Sequence, residues 1–342
     1  MVVMTSVCSQ AISEAADRLA QASKTGETCA PIRDLIGRED IDAAYRVQSR
    51  NIEVLLASGR RIIGRKIGLT SPAVQHQLGV DQPDFGVLLD DMDCTNDTAV
   101  DITRLLQPKI EAEIAFVLRA DIAERITAEQ APEFVDGVFA AFEIVDSRVA
   151  NWDISLADTV ADNASAGLYV LGERVDRVDA PDLAEVTMTV SADGAEVSRG
   201  KGADCLGSPW EALAWLAATS LEYGAPLRSG DVILSGALGP MVPVTAGSTY
   251  TATISGIGSV TARFTTISSE AGKHESLQGR SHRFGQHRYR PSRQIEEVGD
   301  QRRDRCVGRH RPVVGWSGSC PPDGYRHSRH RCAGFDRARR IR

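Results

Sequence analysis

Residues 107–118, Gln-Pro-Lys-Ile-Glu-Ala-Glu-Ile-Ala-Phe-Val-Leu, leave the chain few ways to fold. Ile110, Ala112, Ile114 and Phe116 alternate with Glu111, Glu113 and Ala115, the two-residue repeat of a β-strand, so both carboxylates project from one face. Side chains rooted roughly 7 Å apart on a strand face can converge on one hard divalent cation, and without a positive charge between them they repel. The plainer alternative is a half-buried strand with a wet outer face.

Charge divides the 342 residues in two. Residues 1–267 carry 21 Lys or Arg against 38 Asp or Glu, a net of −17, whereas residues 268–342 carry 18 against 8, a net of +10. Six of the seven histidines also follow Ile267. The acidic body makes nucleic acid an unsuitable partner, because a phosphate-binding surface needs a clustered positive field. No apolar run is long enough to cross a bilayer, and Glu14, Asp17 and Arg18 break up the N-terminus where a secretion signal would be apolar. The chain reads as cytoplasmic. Its seven cysteines are scattered without a Cys-x-x-Cys pair, against both a zinc knuckle and a disulfide framework.

Residues 9–23 are expected to form an amphipathic helix, with Ile12, Ala15, Ala16, Leu19 and Ala22 on its inner side. A second helix is capped by Asp40, carries Ile41, Tyr45, Gln48, Ile52 and Leu55 at helical spacing, and ends at Gly59. Lys66 then lies in a strand-like run between Gly64 and Gly68, either as an exposed lysine on an edge strand or as a lysine of lowered pKa able to move protons or hold a carboxylate. Gln82–Gly86 reads as a turn that Asp84 could cap. With His76 the one histidine of the body, a Ser-His-Asp triad or a multi-histidine metal site lacks material, which favours carboxylate, lysine and metal chemistry.

A helical stretch near 127–135 leads to the apolar strand 138–146, where Glu143 stands as a lone acid. A buried carboxylate needs a partner, here either a shared cation or an ion pair with Arg148 or Lys109. Residues 158–167 put short polar side chains, Asn163 and Ser165 among them, into a loop that suits a cleft or an ordinary turn. Asp193-Gly194 marks a hairpin, Ser208-Pro209 opens a helix closed by Gly224, and residues 236–240 form a glycine loop that is neither a P-loop nor a dinucleotide fingerprint but could hold a carboxylate. Tyr250, Ala252 and Ile254, then Val260, Ala262 and Phe264, form a last strand pair around Gly256–Gly258. Helices first and a mostly antiparallel second part predict an α+β fold with a strand-lined site.

The motifs at 64–70, 79–86, 110–114, 161–165 and 234–240 together resemble the 2-keto-4-pentenoate hydratases, in the hydratase and decarboxylase branch of the fumarylacetoacetate hydrolase superfamily. The resemblance spans roughly residues 9–266 with every motif in order. It implies N-terminal helices (1–60) packed on a catalytic mixed β-roll (61–267) of the fumarylacetoacetate hydrolase C-terminal-domain type. It also implies a Mg²⁺ or Mn²⁺ ion and hydration of 2-hydroxypenta-2,4-dienoate to 4-hydroxy-2-oxopentanoate in meta-cleavage degradation of aromatic compounds. Carried over by position, Glu111, Glu113 and Glu143 look like metal ligands and Lys66 and Asp84 like acid-base residues, while Asn163, Ser165 and Gly236 would orient a small 2-oxo or 2-hydroxydienoate substrate. Within the same branch the alternative is a 4-oxalocrotonate decarboxylase; a non-catalytic partner subunit is another. The family also implies a homo-oligomer able to associate with a related decarboxylase.

Residues 268–342 lie outside the resemblance, and their Arg, Gly, Ser, Pro and His content without apolar periodicity predicts disorder. Such a composition also arises when GC-rich coding DNA is read out of frame. Phe284–Arg290 can be back-translated so that a shifted frame reads Gly-Ser-Gly-Asn-Ile-Gly-Thr, which resembles the dinucleotide-binding start of an acylating acetaldehyde dehydrogenase. The tail is therefore expected to be a frameshifted addition without function.

Overall fold

Asp40 starts its helix as the sequence demands: its carboxylate accepts the Ala43 N–H at 2.9 Å, satisfying one of the orphan donors of the first turn. The computed structural model of the chain describes residues 2–71, 75 and 82–266; His76 and the basic tail fall outside the described residues. Helices α1 (Val2–Thr25), α2 (Arg33–Ile36) and α3 (Ile41–Ala57) come first. All five apolar residues expected on the inner side of the first helix are buried.

Strands follow in the order β1 (Ile62–Gly68), β2 (Asp84–Leu89), β3 (Val100–Asp101), β4 (Lys109–Leu118) and β5 (Val135–Val145). A short helix α4 (Leu156–Ala161) leads to β6 (Ala166–Asp176), β7 (Thr187–Ala192) and β8 (Ala195–Lys201). Helix α5 (Pro209–Glu222) then precedes β9 (Val232–Ala237), β10 (Val242–Pro243), β11 (Thr249–Ile254) and β12 (Gly258–Thr265). One sheet runs β2-β1-β9-β4-β5-β6, with β10 beside β4, and the other runs β3-β12-β11-β7-β8. Parallel contacts occur only at β1–β9 and β12–β3 among the pairings of these named strands, so both sheets are mixed, as an α+β roll requires.

The apolar half of each alternating strand builds the core. Ile110, Ala112, Ile114 and Phe116 of β4 are at most 2 % exposed, and Phe116 stacks on Trp210 of α5 with ring centroids 4.5 Å apart. Tyr250, Ala252, Ile254, Val260, Ala262 and Phe264 bury one face of the second sheet.

Four local expectations change. Asp84 to Gly86 belong to β2 rather than a turn, because pairing of Gly68 with Asp84 continues the β1 ladder to the first residue after Pro83. The helix near 127–135 shrinks to a 3₁₀ turn at Ala131–Phe134. The polar loop 158–167 divides into α4, a 3₁₀ turn at Asn163–Ser165 and the start of β6. Finally, β9 runs on through Gly236 to Ala237, so the glycine loop is shorter than its sequence suggests.

Buried polar contacts fasten the N-terminal helices to the strands. Asp158 accepts the backbone N–H groups of Ile32 at 2.8 Å and Arg33 at 2.9 Å and pairs with the Arg33 guanidinium at 2.7 Å. Gln48 donates to the carbonyls of Phe85 and Val160, both at 3.0 Å. Asp158 is fully buried, so Asp158→Ala leaves the Ile32, Arg33 and Ser155 backbone N–H groups without this acceptor and takes one of two carboxylates from the Arg33 guanidinium. It is expected to lower the unfolding free energy by about 3 kcal/mol, read as a shift of the urea midpoint.

Candidate active site

The register of β4 on β5 builds the site. Glu111 lies directly opposite Glu143, and Glu113, two residues on, pairs with Ala141 on one side and Ala237 of β9 on the other. Ligand oxygens of Glu111, Glu113 and Glu143 lie within 4.8 Å of one another. Glu113 and Glu143 are at most 1 % exposed, and Glu111 is half-buried.

Only part of that negative charge is matched. Gly236 N–H donates to Glu113 Oε2 at 2.8 Å, and Lys66 Nζ lies 3.0 Å from Glu143 Oε1. Glu113 Oε1 and Glu143 Oε2 are buried with no hydrogen-bond partner among the described residues. Burial, reinforced by the Glu143 charge, pushes the Glu111 carboxyl up to about 7. Burial raises Glu113 well above the usual carboxylate range, with Glu143 and Glu111 adding to it. Burial also raises Glu143, against the pull of Lys66. Three convergent carboxylates with orphaned oxygens and too little positive charge fit a hard, oxygen-seeking divalent cation. Glu143 therefore has Lys66 as its ion-pair partner. Arg148 is instead bound to Asp162, and Lys109 lies 4.1 Å from the centroid of the Trp152 ring.

Lys66 holds a carboxylate, that of Glu143, but is neither an edge lysine nor one of lowered pKa. It is 3 % exposed on a strand flanked by β2 and β9, not an edge lysine. Its pKa is raised rather than lowered: burial pulls the ammonium down, but Glu143, Asp84, Glu111 and Glu113 together outweigh it. A second bond runs from Nζ to the Ala164 carbonyl at 2.9 Å.

Asp84 faces the same space. A Cβ on Gly68 would meet Asp84 Oδ1 at 2.2 Å and Lys66 Nζ at 3.4 Å, so only glycine lets the two groups converge there. Burial raises the Asp84 carboxyl to about 6, Lys66 pulls it down and Glu143 pushes it up.

Asn163 has its side chain on the β2 backbone, accepting from Val87 N–H at 2.7 Å and donating to Val87 O at 2.9 Å. Ser165 Oγ lies 3.3 Å from Thr159 Oγ1. Sequence reasoning missed Ala164, whose contribution is a carbonyl and leaves no side-chain signal. Thr70 was also passed over, although it sits in the Gly64–Thr70 motif; it packs where a side chain on Gly236 would go. Gly236 has φ of +107°, and a Cβ there would meet Thr70 at 2.3 Å. Gly236→Ala is expected to displace the amide that holds Glu113 and to cut turnover at least tenfold, measured under saturating substrate.

The family described as fumarylacetoacetate (FAA) hydrolase C-terminal matches residues 76–265. A 2-keto-4-pentenoate hydratase from Burkholderia vietnamiensis is 50% identical over 255 residues, covering 74% of this chain and 97% of that protein. A protein described as TodF product hydratase, from Pseudomonas putida F1, is 49% identical over 255 residues, with 74% and 95% covered. Among solved structures, a 4-oxalocrotonate decarboxylase from Pseudomonas putida G7, complexed with magnesium and adipate, superimposes with a TM-score of 0.71 at 31% identity over 75% of this chain and 97% of that one.

Proposed function

The chain is an enzyme of the fumarylacetoacetate hydrolase C-terminal family, among its 2-keto-4-pentenoate hydratases, and from that premise we propose that it adds water to 2-hydroxypenta-2,4-dienoate to give 4-hydroxy-2-oxopentanoate in aromatic catabolism. The observation that carries this reading is the meeting of three carboxylates from two paired strands beside a charged lysine and an aspartic acid poised near neutrality. Identity near 50% to proteins named hydratases, against 31% to the decarboxylase, favours hydration over loss of CO₂.

Glu111, Glu113 and Glu143 would hold Mg²⁺ or Mn²⁺, which supplies Lewis-acid stabilisation to the enolate of a 2-oxo acid. Hydration needs two proton movements: the dienol loses its hydroxyl proton and gains one at C5, and then water adds its hydroxyl to C4 and a proton reaches C3. Asp84, with its carboxyl raised to about 6, is suited to take a proton and return it near pH 7. Lys66 is a worse base, since its surroundings hold the proton on Nζ between Ala164 O and Glu143. It serves instead as a fixed positive charge and donor facing the carboxylates. Gly236 supports the site through its amide on Glu113 and Asn163 through the β2 backbone, while Ser165 lies against Thr159. A homo-oligomer, able to bind a related decarboxylase, belongs to the same reading and is tested by sedimentation of the chain alone and of the mixture.

The deciding assay follows loss of dienol absorbance in the ultraviolet with added Mg²⁺ or Mn²⁺ and with chelator. Metal-dependent loss without gas supports the hydratase; evolution of CO₂ from 4-oxalocrotonate in its place would transfer the chain to the decarboxylases. Residues 268–342 contribute nothing to this chemistry in the same reading. A chain ending at residue 267 is therefore expected to keep kcat and KM within twofold of the full chain, measured in the same assay.

A further inference from the structure

We propose that Asn163 is a positioning residue for Lys66, acting through the Ala164 carbonyl rather than by touching the substrate. This rests on the hydratase reading for its effect on turnover. Asn163, Ala164 and Ser165 all have left-handed backbones, with φ of +56°, +51° and +52°, although none is glycine. Three such residues in a row carry a conformational penalty that their surroundings must offset.

The structure shows what offsets it. Strand β2 lies at the edge of its sheet, and the pairing of Arg65 with Val87 leaves the Val87 N–H and carbonyl turned outward. The Asn163 side-chain amide takes both groups, at 2.7 and 2.9 Å, as a neighbouring strand would. The far end of the turn is tied by Asp146 N–H to Ser165 O at 2.8 Å. Gly86 allows the close approach, because a Cβ there would meet Asn163 O at 2.4 Å and Lys66 Cδ at 3.2 Å. Held at both ends, the turn directs Ala164 O at Lys66 Nζ, 2.9 Å away, leaving the ammonium 3.0 Å from Glu143 Oε1. Asn163 thus sets where the site's cation sits, and its own amide has both of its polar atoms occupied by Val87.

Asn163→Gly separates the amide from the backbone conformation, since glycine keeps the left-handed turn without penalty and loses only the grip on Val87. In the full chain with Mg²⁺, kcat for dienol hydration is expected to fall tenfold to a hundredfold while KM stays within twofold. Asn163→Asp, which keeps the acceptor for Val87 N–H and loses the donor, should fall between. Independently of activity, labelling of Lys66 by an amine-reactive reagent, read by mass spectrometry, should rise at least tenfold in Asn163→Gly. A rise in KM exceeding the fall in kcat would put the amide on the substrate and overturn the proposal. So would unchanged Lys66 labelling, whether or not the parent chain hydrates the dienol. A parent chain that is inactive with every cation, yet shows increased Lys66 labelling in Asn163→Gly, would defeat the hydratase reading and leave the positioning role supported.

Discussion

Glu113→Gln is expected to abolish hydration, by three orders of magnitude or more, and at the same time to make the metal-free chain harder to unfold. Both effects come from one carboxylate. With a cation bound, Glu113 would be one of three charged ligands, and an amide in its place would remove one of the charges that hold the ion. Without a cation, Glu113 is a buried acid beside two others, with one oxygen unpartnered among the described residues. Its folded-state pKa is raised, so the folded chain keeps a proton that the unfolded chain releases as pH passes the ordinary glutamate value. Stability from this group is thus full at low pH and declines as pH climbs toward the raised folded value; glutamine suffers no such decline. The variant should gain roughly 1–4 kcal/mol over the parent in chelator at pH 8 and much less at pH 5. Urea unfolding at the two pH values measures this, and a variant that is active, or less stable than the parent at pH 8, would remove the basis for a shared cation.

Returning Mg²⁺ or Mn²⁺ to chelator-treated protein should restore at least a hundredfold in turnover and raise the melting temperature. At a hundred times its dissociation constant, a ligand of the folded state adds about 2.7 kcal/mol. For a chain of this size that is about 5–10 °C. The shift should be smaller at pH 6 than at pH 8, because Glu111, near 7, and Glu113, raised well above the usual carboxylate range by burial, hold protons that the cation must displace. A melting temperature unmoved by either ion at pH 8 would sink the assignment.

Much of this site was legible because strand alternation is a local signal. Ile110 to Phe116 placed Glu111 and Glu113 on one face, and the structure brings their oxygens together with that of Glu143. The Asp40 cap and the hairpin at Asp193-Gly194 were legible for the same reason: each is decided within a few residues. The charge state of Lys66 was not. It depends on Asp84, Glu111, Glu113 and Glu143, which reach it through strand pairings that no local pattern encodes. Asp84 itself looked like a turn residue after Pro83, and only its partner across the ladder, Gly68, makes it strand. Asn163 looked free because its neighbours are short and polar, whereas the strand edge that occupies it is 76 residues away in sequence.

Strand β9 lies between β1 and β4, parallel to one and antiparallel to the other. During synthesis, the lysine side and the glutamate side of the future site both leave the ribosome well before the strand that joins them. Until Val232–Ala237 slots in, each half presents open backbone edges to whatever is nearby, and Glu113 lacks the Gly236 amide that holds it. Birth of the enzyme is therefore a late, all-at-once event, and the nascent chain is most in need of protection just before it.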